Sequence, residues 1–406
     1  MKMYYAFYPT YDELDYINNK FLSQGKRVNF FFDVKNGLSG DVSRADGQVV
    51  SLLSQENKGE HLLEFVTSII NLHSYILGRT NADPNQIKFH FFCETGKSNY
   101  HKAIDMLYKS NRHLNDYLIR DEHDPLKTEI VFNALEILEN VLNRFPNHYF
   151  YYGRFAEFDY IPYVIMSSYA SDNDVGILYS TDKDMYQIQT YIPGKLEQLE
   201  KIPVARAEKV QWHPGRMFVN HENYLDRFIY SKAKAMPKDI MTEDEIKYFK
   251  EHWSLMRAIV GDPGDNVTGF SGIGYKTLLG MLKDIMPVTR PREEYNDRLS
   301  KMIFNKFDYA NEPVVFDTEA IKKTYRSKKL SAILSPSGVE RICRNIALMD
   351  YHVMWKRRWM TDKPKIDVVV QGKKKFESEE QAYAFLKNAG MIDRYPDMPI
   401  VLNFPH

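Results

Sequence analysis

Four short apolar runs in the first half of the chain each lead to a carboxylate. Val28 to Phe32 ends at Asp33 and Ile87 to Cys93 ends at Glu94; His148 to Tyr152 is followed by Glu157 and Asp159, and Val175 to Tyr179 by Asp182 and Asp184. Helical patterns lie between these runs. Leu62, Phe65, Val66, Ile69 and Ile76 recur near the spacing of one helical face, as do Val131, Leu135, Leu138 and Leu142. Strands alternating with helices predict a mostly parallel α/β sheet, because a parallel neighbour requires a crossover that a helix supplies. Ligands of such a sheet sit outside the carboxyl ends of its strands, where these acids stand.

A lone acid after a strand is usually a turn residue or a helix cap. The ordered set exceeds what capping needs, and like charges packed together are costly unless cations neutralise them. Asp33, Glu94, Glu157, Asp159, Asp182, Asp184, Asp262 and Asp265 are therefore the candidate ligands of a metal cluster. Hard oxygen donors favour Mg²⁺. A pair of such ions suits phosphodiester hydrolysis, one activating a water and the other stabilising the leaving oxygen.

Asp262 and Asp265 run directly into a glycine-punctuated stretch, GDPGDNVTGFSGIGYKTLLGML, from Gly261 to Leu282. Gly269, Gly272 and Gly274 allow tight turns, so amide N–H groups can face an anion where the next helix begins. Such a loop holds a phosphodiester backbone without reading bases. From about Met241 the pattern is helical, with Tyr248 to Val260 leading into the glycine loop and Ile342 to Met354 continuing the domain. The last forty or so residues read as an appendage. It has an apolar strand at Ile366 to Val370, a basic turn at Lys373 to Lys375 and a helix beginning near Ser378, where Ser378 and Gln381 fit a capping box and Gly390 a stop. Residues 191–240 carry no pattern from which a shape can be read.

The chain has 406 residues, enough for two or three domains, and its 54 basic and 54 acidic residues leave no net charge. Attraction to a polyanion must then come from local patches. The two cysteines, Cys93 and Cys343, are far apart and read as buried thiols, which argues against a zinc cluster or a disulfide scaffold. No apolar run is long enough to cross a bilayer and no leader pattern is present, so a soluble intracellular protein is expected.

Taken together, these segments resemble the flap endonuclease and 5′-3′ exonuclease family, and among its members the bacteriophage 5′ nucleases. FFFDVKNGLS resembles the first aspartate strand, ETGKSNYHKAIDMLYKSNR the second acid followed by an arch, and AEFDYI the Glu-Ala-Asp-Asp motif. STDKD and GDPGDNVTGFSGIGYKT resemble the aspartate pair and the helix-three-turn-helix motif, in the family's order from Val28 to Met354. The resemblance implies a PIN-like mostly parallel sheet flanked by helices, with a helical arch and a C-terminal helix-three-turn-helix DNA-binding domain. The corresponding division is an extension at 1–27, a nuclease domain at 28–240 with the arch near 95–125, a helical domain at 241–362 and an appendage at 363–406.

By the same resemblance the eight acids form the metal cluster, Lys97 faces the scissile phosphate, and the arch contributes His101, Lys102, Tyr108, Lys109 and Arg112 to DNA binding. Gly269, Gly272, Gly274, Lys276 and Thr277 would hold duplex, with K⁺ at the loop carbonyls, and Mn²⁺ could substitute for the two Mg²⁺. The implied enzyme is a monomeric, cytoplasmic 5′ nuclease, in the host cytoplasm if phage-encoded. It would act on branched or 5′-ended DNA and RNA/DNA hybrids, including RNA primers, beside replication proteins and with no membrane association. Two positions depart from the pattern: Tyr160 stands where a second consecutive aspartate is expected after Asp159, and His101 where phage relatives place an arginine. A PIN-like ribonuclease and a catalytically impaired DNA-structure-binding protein are the competing readings.

Overall fold

The computed structural model describes residues 9–34, 42–43, 49–50, 69–80, 82–93, 98–110, 135–153, 157–202, 215–303, 308, 314–317, 320, 327–372 and 375–388. Six strands form its main sheet: β1 (Arg27–Asp33), β2 (Ile87–Phe92), β3 (His148–Tyr151), β4 (Asp174–Tyr179), β5 (Leu196–Ile202) and β6 (Gly215–Val219). Their spatial order is β3-β2-β1-β4-β5-β6. Every neighbouring pair is parallel except β5 with β6. The chain thus builds outward from β1 in one direction and then, from β4, in the other. The point where the order reverses, between β1 and β4, leaves a crevice at the carboxyl ends of the strands.

Alternation along β1 explains why both faces are covered. Phe30 and Phe32 enter one core, where Phe32 stacks on Phe91 of β2 at 5.1 Å, while Phe31 enters the opposite core with Leu178 and Tyr151. Phe30, Phe31 and Phe32 are fully buried, each worth roughly 2 kcal/mol of transfer free energy. The first core also receives Leu14 and Ile17 of helix α1 (Tyr11–Lys20), together with helical residues 69–77 and 135–142. The segment before β1 is therefore packed into the body. Lys20 and Tyr16 of α1 both reach Glu197 of β5, at 2.6 and 2.8 Å.

The helix α2 (Asn99–Ile104) follows β2. The C-terminal core is built by α3 (Trp253–Val260), α4 (Tyr275–Leu279), α5 (Arg292–Lys301), α6 (Pro336–Met349) and α7 (Tyr351–Gln371). A last helix, α8 (Glu379–Asn388), returns to the first core through Ala382 and Leu386.

Two readings of the sequence change here. Residues 191–240, in which no shape was legible, supply β5, β6 and the helix Tyr224–Ala233. Ile366 to Val370, expected as a strand because three successive valines favour one, forms the end of α7 instead, with Ile366 buried against the second core. Tertiary packing of that helix outweighs local propensity. Ser378 does accept from the Gln381 amide at 3.3 Å, but the Gln381 side chain accepts from Glu377, so only half of the capping box forms. Gly390 lies outside the described residues. Cys93 and Cys343 are buried free thiols, as expected.

Candidate active site

Asp33 closes β1, and Asp182 and Asp184 follow β4, so the strand-order reversal brings these acids to one crevice. The 180–184 turn is held in place by Gln198, whose side-chain nitrogen donates to the carbonyls of Ser180 (2.9 Å) and Asp182 (2.8 Å). Within the turn the Asp184 amide donates to the Asp182 carboxylate at 2.8 Å. Asp262 and Asp265 arrive from the segment after α3, where Asp262 caps a single 3₁₀ turn by accepting from the Gly264 amide. Glu157 and Asp159 come from the turn after β3. All seven line one cavity of about 340 Å³. Glu94, the remaining acid of the expected set, lies outside the described residues, as do Lys97 and Arg112.

Protein cations reach into this cluster. The ammonium of Lys109 lies 3.0 Å from Glu157 and 3.9 Å from Asp265. The guanidinium of Arg257, on the buried face of α3, bonds both Asp184 (Nη2 to Oδ2, 3.0 Å) and Asp262 (2.7 Å). Burial opposes the charge of Arg257, but Asp184, with Tyr275 and Asp262, outweighs it and holds the guanidinium well above its usual pKa. Asp182 behaves differently. Burial above all, reinforced by Asp184 and Asp33 and only partly countered by Arg257, pushes its carboxyl up to about 8. The oxygens of Asp184, Asp262 and Asp265 lie within 4.8 Å of one another, close enough to share one cation. An all-oxygen donor set of this density fits hard divalent ions.

The expected arch residues occupy unexpected places. His101, Tyr108 and Lys109 are buried at 0, 4 and 2% exposure, so they form the wall of the cavity and not a solvated DNA-binding face. The Tyr108 hydroxyl is shared between Glu157 (3.2 Å) and Asp265 (3.3 Å), and its ring stacks on His101 at 4.4 Å. His101 in turn donates from Nε2 to the Leu348 carbonyl at 3.1 Å. Two contacts to the Asp262–Asn266 segment position this part of the chain: the Lys109 amide donates to the Asp265 carbonyl at 2.7 Å, and the Asn266 side chain donates to the Leu107 carbonyl at 2.7 Å. Lys109 adopts φ 51°, a left-handed conformation that turns its side chain inward. Lys102 is half-buried on α2.

Tyr160 is a core aromatic. It is 1% exposed, its hydroxyl bonds Asp362 of α7, and Arg358 completes the group by binding Asp362 at 2.7 Å and lying 5.2 Å from the Tyr160 ring. The side chain that replaces the expected aspartate therefore anchors α7 under the site. Arg358 also donates to the Glu157 carbonyl at 3.2 Å, so the anchor touches the cluster's own backbone.

The glycines of the 269–274 loop serve distinct ends. A Cβ at Gly269 would lie 1.9 Å from the Val260 carbonyl oxygen, so that position requires glycine for close approach; Gly272 needs it for φ 70°. Gly274 is the N-cap of α4, which carries the exposed Lys276 and the half-buried Thr277. Two carbonyls of this loop accept from protein cations: Lys329 donates to Gly272 at 3.1 Å and Arg341 to Gly269 at 3.0 Å.

Arg257 and the Arg358–Asp362 pair were not singled out in the sequence. An arginine inside the otherwise apolar run WSLMRAIV, five residues before Asp262, was the available signal for the first. The others depend on α7 lying across the site, which no local pattern reveals.

No family model matches the chain, and no curated protein matches it. The chain is similar to solved 5′ nucleases. A bacteriophage T5 D15 protein crystallised with metal ions aligns at 17% identity over 86% of this chain and 97% of its own, with a TM-score of 0.45. The T5 D15 flap endonuclease in a complex with DNA and metal ions aligns at 15% identity over 90% of this chain and 100% of its own, with a TM-score of 0.41. The catalytic core of Rad2 with a DNA substrate aligns at 10% identity, covering 92% of each chain, with a TM-score of 0.35.

Proposed function

We propose that this protein is a metal-dependent, structure-selective 5′ nuclease that hydrolyses phosphodiesters at 5′ flaps and 5′ ends of DNA, including RNA primers in RNA/DNA hybrids. The observation that carries this reading is the convergence of seven carboxylates from separate segments on one cavity at the carboxyl ends of the sheet. Divalent cations held there, two Mg²⁺ or Mn²⁺, would lower the pKa of an attacking water and neutralise the leaving oxygen.

The chain's own groups prepare the site. Arg257 fixes the orientation of Asp184 and Asp262, and Tyr108 that of Glu157 and Asp265. Asp182, whose carboxyl is pushed up to about 8, retains a proton near neutrality that an arriving cation must displace. Lys109, inside the cluster, is placed to meet a phosphoryl oxygen as its charge grows, and Lys97 is proposed on sequence grounds to face the scissile phosphate. Glu94 completes the acidic set on sequence grounds.

Gly269 to Gly274 with Lys276 and Thr277 forms the helix-three-turn-helix grip on duplex backbone, and Lys102 and Arg112 the contacts to the 5′ strand. Contacts to backbone explain selection for branched structure over sequence. The protein acts in this reading as a cytoplasmic monomer alongside replication proteins. Incubating it with labelled 5′ flap, nicked duplex, RNA/DNA hybrid and single-stranded RNA, each with Mg²⁺ or EDTA, tests the proposal. Mg²⁺-dependent products from flap and nick support it; cleavage of single-stranded RNA alone, or binding without cleavage, contradicts it.

A further inference from the structure

Tyr108, Tyr160 and Tyr351 all line the carboxylate cavity, but their hydroxyls differ in what they meet. That of Tyr108 lies between Glu157 and Asp265, and that of Tyr160 bonds Asp362. The Tyr351 hydroxyl makes no hydrogen bond among the described residues. Tyr351 is 5% exposed, and the surface it keeps lines the cavity. A phenol withdrawn from bulk water and left without an acceptor calls for one from whatever enters the cavity.

The backbone that carries this side chain is fixed from two directions. Tyr351 opens α7, and its amide donates to the Gln187 side chain at 2.8 Å. The Gln187 carboxamide nitrogen donates in turn to the carbonyls of Asp184 (2.9 Å) and Met349 (3.0 Å), which ties the start of α7 to the turn that carries the acids. Asp350 completes the support. Its carboxylate caps α7 by accepting from the Val353 amide at 2.9 Å and also accepts from the Tyr191 hydroxyl at 2.5 Å. The nearby acids have donors of their own, since Arg257 bonds Asp184 and the Asp184 amide bonds Asp182. Burial above all, then the charges of Asp159, Asp182 and Asp184, raise the pKa of Tyr351 well above the phenol range against the opposing pull of Arg257. The group is a neutral donor.

We infer that Tyr351 is a catalytic residue of the phosphodiester hydrolysis proposed above, its hydroxyl donating to a non-bridging oxygen of the scissile phosphate as negative charge builds there. The inference rests on the nuclease reading and adds to it a residue that the acidic motifs do not include. A donor held in place beforehand, in a site with little water, stabilises developing charge without reorganising during the reaction. Being neutral, it serves the phosphate without competing with cations for the seven carboxylates of the cavity. Lys109 is engaged with Glu157 and Asp265, whereas Tyr351 stands with Asp159, Asp182 and Asp184, so the two approach from different parts of the cluster.

Tyr351→Phe removes the oxygen and keeps the ring, and with no protein hydrogen bond to lose it should melt with the parent. Single-turnover cleavage of a labelled 5′ flap by the full chain, at saturating protein in Mg²⁺, should fall at least about tenfold. Flap affinity in EDTA and calorimetric Mn²⁺ affinity should not change. Sulfur substitution separates a direct contact from a structural role. Replacing one non-bridging oxygen of the scissile phosphate by sulfur, a poorer acceptor, should slow the parent for one of the two diastereomers without rescue by Mn²⁺, and Tyr351→Phe should lose that sensitivity. Parent-like cleavage by Tyr351→Phe, or a sulfur effect of equal size in both proteins, would overturn the inference and leave the nuclease reading standing. So would a loss of Mn²⁺ affinity in the variant, which assigns the hydroxyl to the bound cation's surroundings. A parent that cleaves no flap in Mg²⁺ would overturn the nuclease reading and this inference with it.

Discussion

The ammonium of Lys109 sits 3.0 Å from Glu157, and both side chains are almost wholly withdrawn from solvent. The pair is a built-in counter-charge for a cavity crowded with carboxylates, and removing one partner leaves a buried charge uncompensated. Lys109→Met should therefore lower metal-free stability by about 3 kcal/mol. Added Mn²⁺ should recover part of that loss, because a bound cation replaces the missing charge. Melting curves in EDTA and in Mn²⁺ check this, and equal melting of variant and parent in EDTA would count against the pair. The same variant should lower single-turnover cleavage at saturating enzyme if Lys109 meets the reacting phosphate.

Asp182 gives a pH signature. Its folded pKa of about 8 lies above the unfolded value, so its contribution to stability is fully present below the unfolded pKa of about 3.9 and is lost as pH rises through 8. Metal-free parent protein should melt progressively lower between pH 5 and pH 7, each about one unit inside an end of that window. Asp182→Asn should flatten the decline. Stabilisation by Mn²⁺ should grow over the same interval, since fewer protons then need displacing. Parallel melting profiles for parent and variant would contradict the assignment.

Tyr160 separates anchoring from metal binding. Tyr160→Phe removes the donor to Asp362 while keeping the ring under Arg358, and should cost about 1–3 kcal/mol with no change in the Mg²⁺ concentration giving half-maximal cleavage. Tyr160→Asp should destabilise more, by placing a second carboxylate beside Asp362. A stable Tyr160→Asp protein with a reduced Mg²⁺ requirement would revive the reading of Tyr160 as a replaced ligand.

The glycine loop makes a prediction about salt. Lys329 and Arg341 already satisfy the Gly272 and Gly269 carbonyls, so duplex affinity should be the same in K⁺ and in tetramethylammonium at equal ionic strength. Lys329→Met should introduce a preference for K⁺. Fluorescence anisotropy with labelled duplex measures both, and a K⁺ preference in the parent would show that the ammonium does not fill the place.

Much of this arrangement was legible because the relevant signals are local. Apolar runs with acids at their ends identified β1 to β4, and parallel pairing alone was enough to expect Asp33, Asp182 and Asp184 at one sheet edge. What escaped depends on chain reversals. Lys109 reads as a DNA-binding residue of an arch, and its place beside Glu157 depends on the backbone turning at φ 51° and being tied to Asp265. Tyr160 reads as a missing ligand until α7 brings Asp362 and Arg358, some two hundred positions later, against it. The three-valine stretch at the end of α7 shows the converse, a local preference for strand overridden by a helix already committed to packing through Ile366.

The central claim is that the carboxylate cavity binds divalent cations, and anomalous diffraction from crystals soaked in Mn²⁺ tests it most directly. The account predicts Mn²⁺ peaks within the cavity lined by Asp33, Glu157, Asp159, Asp182, Asp184, Asp262 and Asp265, one of them shared by Asp184, Asp262 and Asp265. Peaks confined to the protein surface, with Lys109 and Arg257 still neutralising an otherwise empty cluster, would contradict it.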